Sequence, residues 1–127
     1  LRLTPGRMGR SEGAPALPDL PSLIPDANDP LLRVVACIGA PGCAQARGET
    51  RRLARDLAAS VPQGQRLHLS GCAKGCAAPR ATDITLTATA PGQYDLIRNG
   101  RADAAPDLRG LTPAAIASHF RKSADAP

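Results

Sequence analysis

Cys37, Cys43, Cys72 and Cys76 are the residues of this chain best suited to chemistry, and they come in two pairs. Five residues lie between the first two and three between the second two. Four thiols arranged this way are the arithmetic of a metal site. The CxxxC spacing puts both thiolates on one face of a helical turn, at i and i+4. The wider gap holds Gly39, Pro41 and Gly42, which let the chain loop around a bulky object. Structural zinc favours tighter CxxC-like knuckles, whereas an iron-sulfur cube spaces its corners further apart and accepts looser loops. Gly39, Gly42, Gly71 and Gly75 permit close backbone approach and N–H groups aimed at sulfur. The reading is one 4Fe-4S cluster held by all four cysteines. The alternatives are zinc, or two disulfides pairing Cys37 with Cys43 and Cys72 with Cys76. The chain shows neither a charged-then-apolar leader nor the roughly 18 apolar residues of a membrane span. A cytoplasmic location is therefore expected, where disulfides are rare and cysteines more often bind metal.

At 127 residues the chain suits one compact domain and is too short for two. Trp is absent and Tyr94 and Phe120 are the sole aromatics, so the core rests on Ala, Val and Leu. Such a thin core invites help from a cofactor, a partner or a further segment. The net charge of +5 favours an anionic partner. Its arginines are scattered and aromatic stacking platforms are nearly missing, which argues against nucleic acid. A polycarboxylate ligand or an acidic protein fits the charge equally well.

The elements that must position the cysteines follow from pattern and punctuation. Residues 1–30, with Pro5, Pro15, Pro18, Pro21, Pro25 and Pro30 and three glycines, read as a connecting segment. Residues 31–127 read as one α+β domain, a mixed sheet flanked by helices. The apolar run 31–36 predicts a buried strand ending just before Cys37. A helical pattern follows over 45–60, stopped by Pro62 and Gly64. Residues 66–70 alternate like a half-buried strand and run straight into Cys72. Strands at 83–88 and 93–99, with Pro91-Gly92 between them, predict an antiparallel hairpin. Thr112 as N-cap and Pro113 at the first helical position open a last helix over 112–122.

Other chemistry-bearing residues are weighed against plainer roles. Lys74 and Arg80 flank the second cysteine pair, and Arg47 opens the helix after the first. They offset cluster charge and reach substrate carboxylates, or they are solvated surface charge. His68 projects from the strand face opposite Leu67 and Leu69 and reads as structural rather than as an iron ligand. His119 sits far in sequence from the cysteines and is given no chemistry. No catalytic acid, base or nucleophile stands out.

The segments Ala36-Cys37-Ile38-Gly39-Ala40-Pro41-Gly42-Cys43 and Leu69-Ser70-Gly71-Cys72-Ala73-Lys74-Gly75-Cys76-Ala77-Ala78-Pro79 resemble the cluster signature of the sulfite and nitrite reductase family. Within it they are most similar to the precorrin-3B synthases of aerobic cobalamin biosynthesis; the assimilatory reductases usually carry Pro-Asn where this chain has Ala73-Lys74. The likeness runs from Leu1-Arg2-Leu3-Thr4-Pro5 to Gly100 and matches the C-terminal portion of such an enzyme. It implies a nitrite/sulfite reductase 4Fe-4S domain fold with Cys37, Cys43, Cys72 and Cys76 as cluster ligands. It further implies oxygen-dependent hydroxylation of precorrin-3A to precorrin-3B with lactone formation, an external electron donor or reductase, and a separate N-terminal half. The second cofactor implied is a mononuclear non-haem iron, or sirohaem in the reductases, where Cys76 would also bridge to the haem iron. A reductase domain and a non-catalytic electron-transfer module are the alternative functions.

Overall fold

The computed structural model describes residues 2–4, 8–10 and 29–125, with the side chains of residues 29–122. Most of the segment 1–30 therefore lies outside the described residues. Within it, Arg2–Thr4 (β1) and Met8–Arg10 (β2) form a short antiparallel ladder that pairs Arg2 with Arg10.

The main sheet has five strands in sequence order: Val34–Ala36 (β3), Leu67–Ser70 (β4), Thr82–Ala90 (β5), Gln93–Gly100 (β6) and Leu108–Leu111 (β7). β3, β4 and β5 are mutually parallel, with Ala36 opposite Leu69 and Leu69 opposite Leu86. β5, β6 and β7 are antiparallel. The sheet is mixed and the class is α+β, as expected. Parallel neighbours cannot be joined by a tight turn; each connection must carry the chain back along the sheet. Arg51–Leu57 (α1), extended by a 3-10 turn over Ala58–Ser60, lies in the first crossover. The second, residues 71–81, has no helix or strand.

One sheet face builds the core. Leu67, Leu69, Ile84, Leu86 and Leu96 pack with Leu53 and Leu57 of α1 and with Ile116 and Phe120 of α2 (Pro113–Asp125). Fully burying each such side chain is worth about 1.5–3 kcal/mol, and here leucine supplies what aromatics do not. The other face is more polar: His68, Ser70, Thr85 and Thr87 are buried there. Its hydroxyls are satisfied by backbone carbonyls, Thr85 donating to Gly100 (2.9 Å) and Thr87 to Ala102 (3.0 Å).

The hairpin over β5 and β6, with its turn at Pro91-Gly92, and the capped last helix agree with the sequence. Thr112 accepts the Ala115 N–H as N-cap. Three expectations need correction, and one strand was not expected. The strand at 31–36 is confined to Val34–Ala36 and half-buried, because the Asp29 carboxylate accepts the Leu31 N–H with Pro30 at the first helical position, turning 30–33 into 3-10 helix. The helix at 45–60 starts only at Arg51, since Ala46 and Arg47 spend their N–H groups on the cysteine loops. The strand at 66–70 is buried on both faces rather than half-buried, as a central parallel strand must be. β7 was not legible: Arg109 and Gly110 break its alternation, and Gly110 takes φ +63°.

His68 is fully buried, and burial holds its pKa below the ordinary value of 6.5. His119 is lowered as well, by burial and by the charges of Arg98 and Lys122. The unfolded chain then takes up protons that the folded chain refuses, so stability is fully present above about pH 6.5 and lost as pH falls through the depressed folded values. Urea denaturation is expected to give a flat stability from pH 7.5 to about 6.5 and a decline below it. His68→Phe should remove most of the decline between about pH 6.5 and 5, above the carboxylate range; an unchanged slope would contradict a neutral buried His68.

Candidate metal centre

Because β3 and β4 run parallel, their C-terminal ends lie side by side, with Cys37 following β3 at once and Cys72 following β4 after Gly71. The Cys37 N–H donates to the Leu69 carbonyl at 3.3 Å, continuing the ladder past Ala36. The first loop then folds on itself: the Cys43 N–H reaches the Gly39 carbonyl (2.8 Å), and the Ala40 N–H reaches that of Gly48 (3.0 Å). The second loop is locked to the first by the Arg47 N–H donating to the Gly71 carbonyl at 2.7 Å. A Cβ on Gly71 would stand 2.9 Å from the Ala46 Cβ and 3.3 Å from the Gly39 Cα, so the two loops touch backbone to backbone.

Two hydroxyls brace these junctions. Thr50, fully buried, donates to the Cys37 carbonyl at 2.5 Å instead of capping its own helix. Ser70 donates to the Cys72 carbonyl, also at 2.5 Å. Neither residue stood out in the sequence; the one available signal was a hydroxyl immediately before a helix and another immediately before a cysteine loop. The Gly71 N–H points at the Cys37 sulfur at 3.2 Å, within the range of an N–H···S contact of the kind that tunes a metal-bound thiolate.

All four cysteines are free thiols, so the two-disulfide alternative is not realised. Cys37, Cys43 and Cys72 are partly buried and Cys76 is exposed. Among the described residues no three His, Cys, Asp or Glu side chains converge closely enough to hold one metal ion. A cubane asks for something else, four thiolates at four separate corners with N–H groups directed at the sulfurs. Of that demand the structure shows free thiols on two interlocked loops and one N–H directed at the Cys37 sulfur.

Beside Cys72 lies an open cleft of about 800 Å³. The cysteine loops contribute Arg47 and Lys74 to its lining, while β6 and the loop after it contribute Asp95 and Asp103. Ala73, Ala88 and Ala102 supply small apolar surface. The Lys74 ammonium donates to the Gln45 amide oxygen across the two loops. Arg80 is exposed and is not part of this lining. His68 lies under the second loop, where a Cβ on Gly75 would stand 3.6 Å from its Cε1. His119 is elsewhere, bonded to the Arg98 guanidinium at 2.9 Å.

Gly39 takes φ +68°, and a Cβ there would stand 2.5 Å from the Thr50 Oγ1. Gly39→Ala is expected to cost about 1–3 kcal/mol through backbone strain, with a further loss from displacing Thr50. In a Thr50→Ala background the substitution should cost measurably less, the cycle being read from urea denaturation midpoints. Equal costs in both backgrounds would mean that the two residues do not press on each other.

No protein-family model matches the chain. It is 42% identical over 82 residues to a precorrin-3B synthase of Sinorhizobium sp., a match covering 61% of this chain and 18% of that protein. It is 36% identical over 74 residues to the sulfite reductase [NADPH] hemoprotein beta-component of Shewanella woodyi, covering 50% of the chain and 13% of the relative. The corresponding protein of Afipia carboxidovorans is 34% identical over 79 residues, covering 54% and 14%. The chain thus spans less than a fifth of the length of these relatives. The resemblance read from the two cysteine motifs holds: this chain is similar to one part of precorrin-3B synthase and of the sulfite reductase hemoprotein component.

Proposed function

We propose that this chain is the cluster-holding part of a precorrin-3B synthase-like oxidoreductase of aerobic cobalamin biosynthesis. The reaction is the oxygen-dependent hydroxylation of precorrin-3A to precorrin-3B with lactone formation. The observation that carries the reading is the pair of cysteine loops, leaving adjacent parallel strands and locked together at Gly39, Gly71 and Ala46, with Arg47 and Lys74 on the loop side of a cleft whose far side carries Asp95 and Asp103. It occurs in a chain more similar to the synthase, in identity and in share covered, than to the reductase components.

Cys37, Cys43, Cys72 and Cys76 would hold a 4Fe-4S cluster. When bound, it supplies one-electron transfer from an external donor toward the substrate site. The chain's own groups perform the rest. The Gly71 N–H offsets negative charge on the Cys37 sulfur. Arg47 and Lys74 bind carboxylates of the tetrapyrrole, which suits a chain of net charge +5. The small side chains of Ala73, Ala88 and Ala102 leave room for a broad ring edge. A separate N-terminal portion would supply the remaining substrate contacts and, in the synthase reading, the ligands of a mononuclear non-haem iron. Free thiols of this kind suit a reducing cytoplasm.

The likeness to the sulfite reductase components supports a second reading, in which the cleft borders a sirohaem. A bound sirohaem chromophore would favour that reading; a cluster without catalysis, with or without an added N-terminal half, would favour an electron-transfer module.

Anaerobic reconstitution with iron and sulfide is expected to load about four irons and four sulfides per chain, and each Cys→Ser substitution should reduce that loading. Zinc uptake without sulfide would overturn the cluster reading and the synthase assignment with it. On the loaded protein, Lys74→Ala and Arg47→Ala should each weaken binding of a polycarboxylate tetrapyrrole roughly tenfold, the scale of one lost charge-assisted hydrogen bond. Arg80→Ala, outside the cleft, should change it less. Calorimetric titration at low salt checks the series.

A further inference from the structure

One group in the fold stands out as unsatisfied. His68 is fully buried on the polar face of β4, and both ring nitrogens lack a hydrogen-bond partner among the described residues. Its neighbours on that face are all provided for. Ser70, Thr85 and Thr87 donate to the carbonyls of Cys72, Gly100 and Ala102, which lie in the second cysteine loop, at the end of β6 and in the loop after it. A neutral imidazole carries one N–H and one lone pair. Leaving such groups dry and unpaired costs about 1–3 kcal/mol each, and a hydrophobic residue would avoid that cost.

The segment over His68 is where a partner can come from. Gly75, the residue before Cys76, takes φ +64° and approaches the ring. A Cβ there would stand 3.2 Å from the Ala102 Cβ and 3.6 Å from the His68 Cε1. The second crossover is therefore laid directly on the imidazole, with little space between. Of the segments over this face, it is the one that carries cysteines and has no helix or strand of its own to hold it. Its internal support is slight, chiefly the Ala78 N–H on the Gly75 carbonyl at 3.2 Å.

We propose that His68 is a positioning residue for the second cysteine pair: with the cluster in place, its imidazole N–H donates to the Cys72–Cys76 loop and holds that loop on the sheet. The proposal rests on the cluster reading above. It assigns His68 no bond to iron and no proton in the reaction. Its role is to fix where Cys72 and Cys76 stand, as outer hydrogen bonds commonly do for metal ligands.

The test compares the full chain, anaerobically loaded with iron and sulfide, as wild type, His68→Gln and His68→Phe. Iron and sulfide content and the rate of cluster loss to an iron chelator are measured, together with the urea midpoint of each apo form. His68→Phe keeps the ring volume and removes the donor. It is expected to lose the cluster about 10–100-fold faster, the scale found when outer partners of metal ligands are removed. His68→Gln restores an N–H and should stay within a few-fold of wild type. A packing role alone would move the apo midpoint and leave the loss rate unchanged, and that result overturns the proposal. Equal loss rates for wild type and His68→Gln against a faster His68→Phe support it, and if His68→Phe does not fold, a His68→Leu variant takes its place in the comparison. Failure of the wild type to take up sulfide overturns the cluster reading itself, and is told apart from failure of the His68 proposal by the content assay.

Discussion

Three parallel strands side by side impose the geometry on which everything else in this structure rests. A parallel pair cannot be closed by a hairpin, so the chain leaving β3 and the chain leaving β4 must each travel back along the sheet before pairing again. Both departures occur at the same end, and here the two crossovers part. The first goes by way of α1 on the leucine-rich face. The second, residues 71–81, lies over His68 on the polar face. Ligand sites in parallel sheets favour this end of the strands, and here each departing segment opens with a cysteine pair. Cys37 and the start of the loop that carries Cys72 are neighbours because Ala36 and Leu69 are paired, and the Gly71 N–H reaches the Cys37 sulfur before any metal is considered.

That arrangement leaves irregular backbone in a partly buried place, where unpaired N–H and C=O groups are expensive. The chain meets the cost with side chains that conventional capping would have used elsewhere. Thr50 precedes α1 and would ordinarily turn back to cap it; its hydroxyl instead holds the Cys37 carbonyl. Tyr94, the one tyrosine, donates to the Glu49 carbonyl at 2.6 Å and so ties the hairpin to the entrance of α1. Gly48 fits against Ala88 with no room for a Cβ, which would stand 2.9 Å away. These contacts explain why the helical pattern over 45–60 yields a helix only from Arg51 onward. Periodicity registers which residues face a core; it does not register that N–H groups have been claimed by a neighbouring loop.

The parts of the fold legible in the sequence are those decided locally. Pro91-Gly92 makes its turn from its own torsional preferences, and Thr112-Pro113 starts its helix from its own side chain and ring. The strand at 66–70 was legible as a strand but not in its burial, since that depends on β3 and β5 closing over both edges and on the crossovers covering both faces. β7 escaped notice because its place in the sheet rests on Asp95 and Asp107, which accept the N–H groups of Gly110 and Arg98 across the strands. The cysteines were legible as a set, because spacing and glycine content speak to chemistry directly. Arg47 and Lys74 lie together in the cleft lining, while Arg80, equally close in sequence, lies outside it. Proximity along the chain could not separate them.

The two faces of β4 show how a chain with so few aromatics divides its labour. On one side leucines and the single phenylalanine carry the hydrophobic contribution, and little there could change without creating a cavity. On the other, three hydroxyls donate to backbone carbonyls of β6 and of the neighbouring loops, beside a histidine with no partner among the described residues. A polar layer of this kind specifies its cover more strictly than an apolar one, because a shift that a leucine would tolerate leaves a hydroxyl unpaired. The cover includes the loop bearing Cys72 and Cys76. A sequence that needed only stability would fill those positions with valine or isoleucine; one that must set two thiols in place gains from a surface that holds its loop in one position.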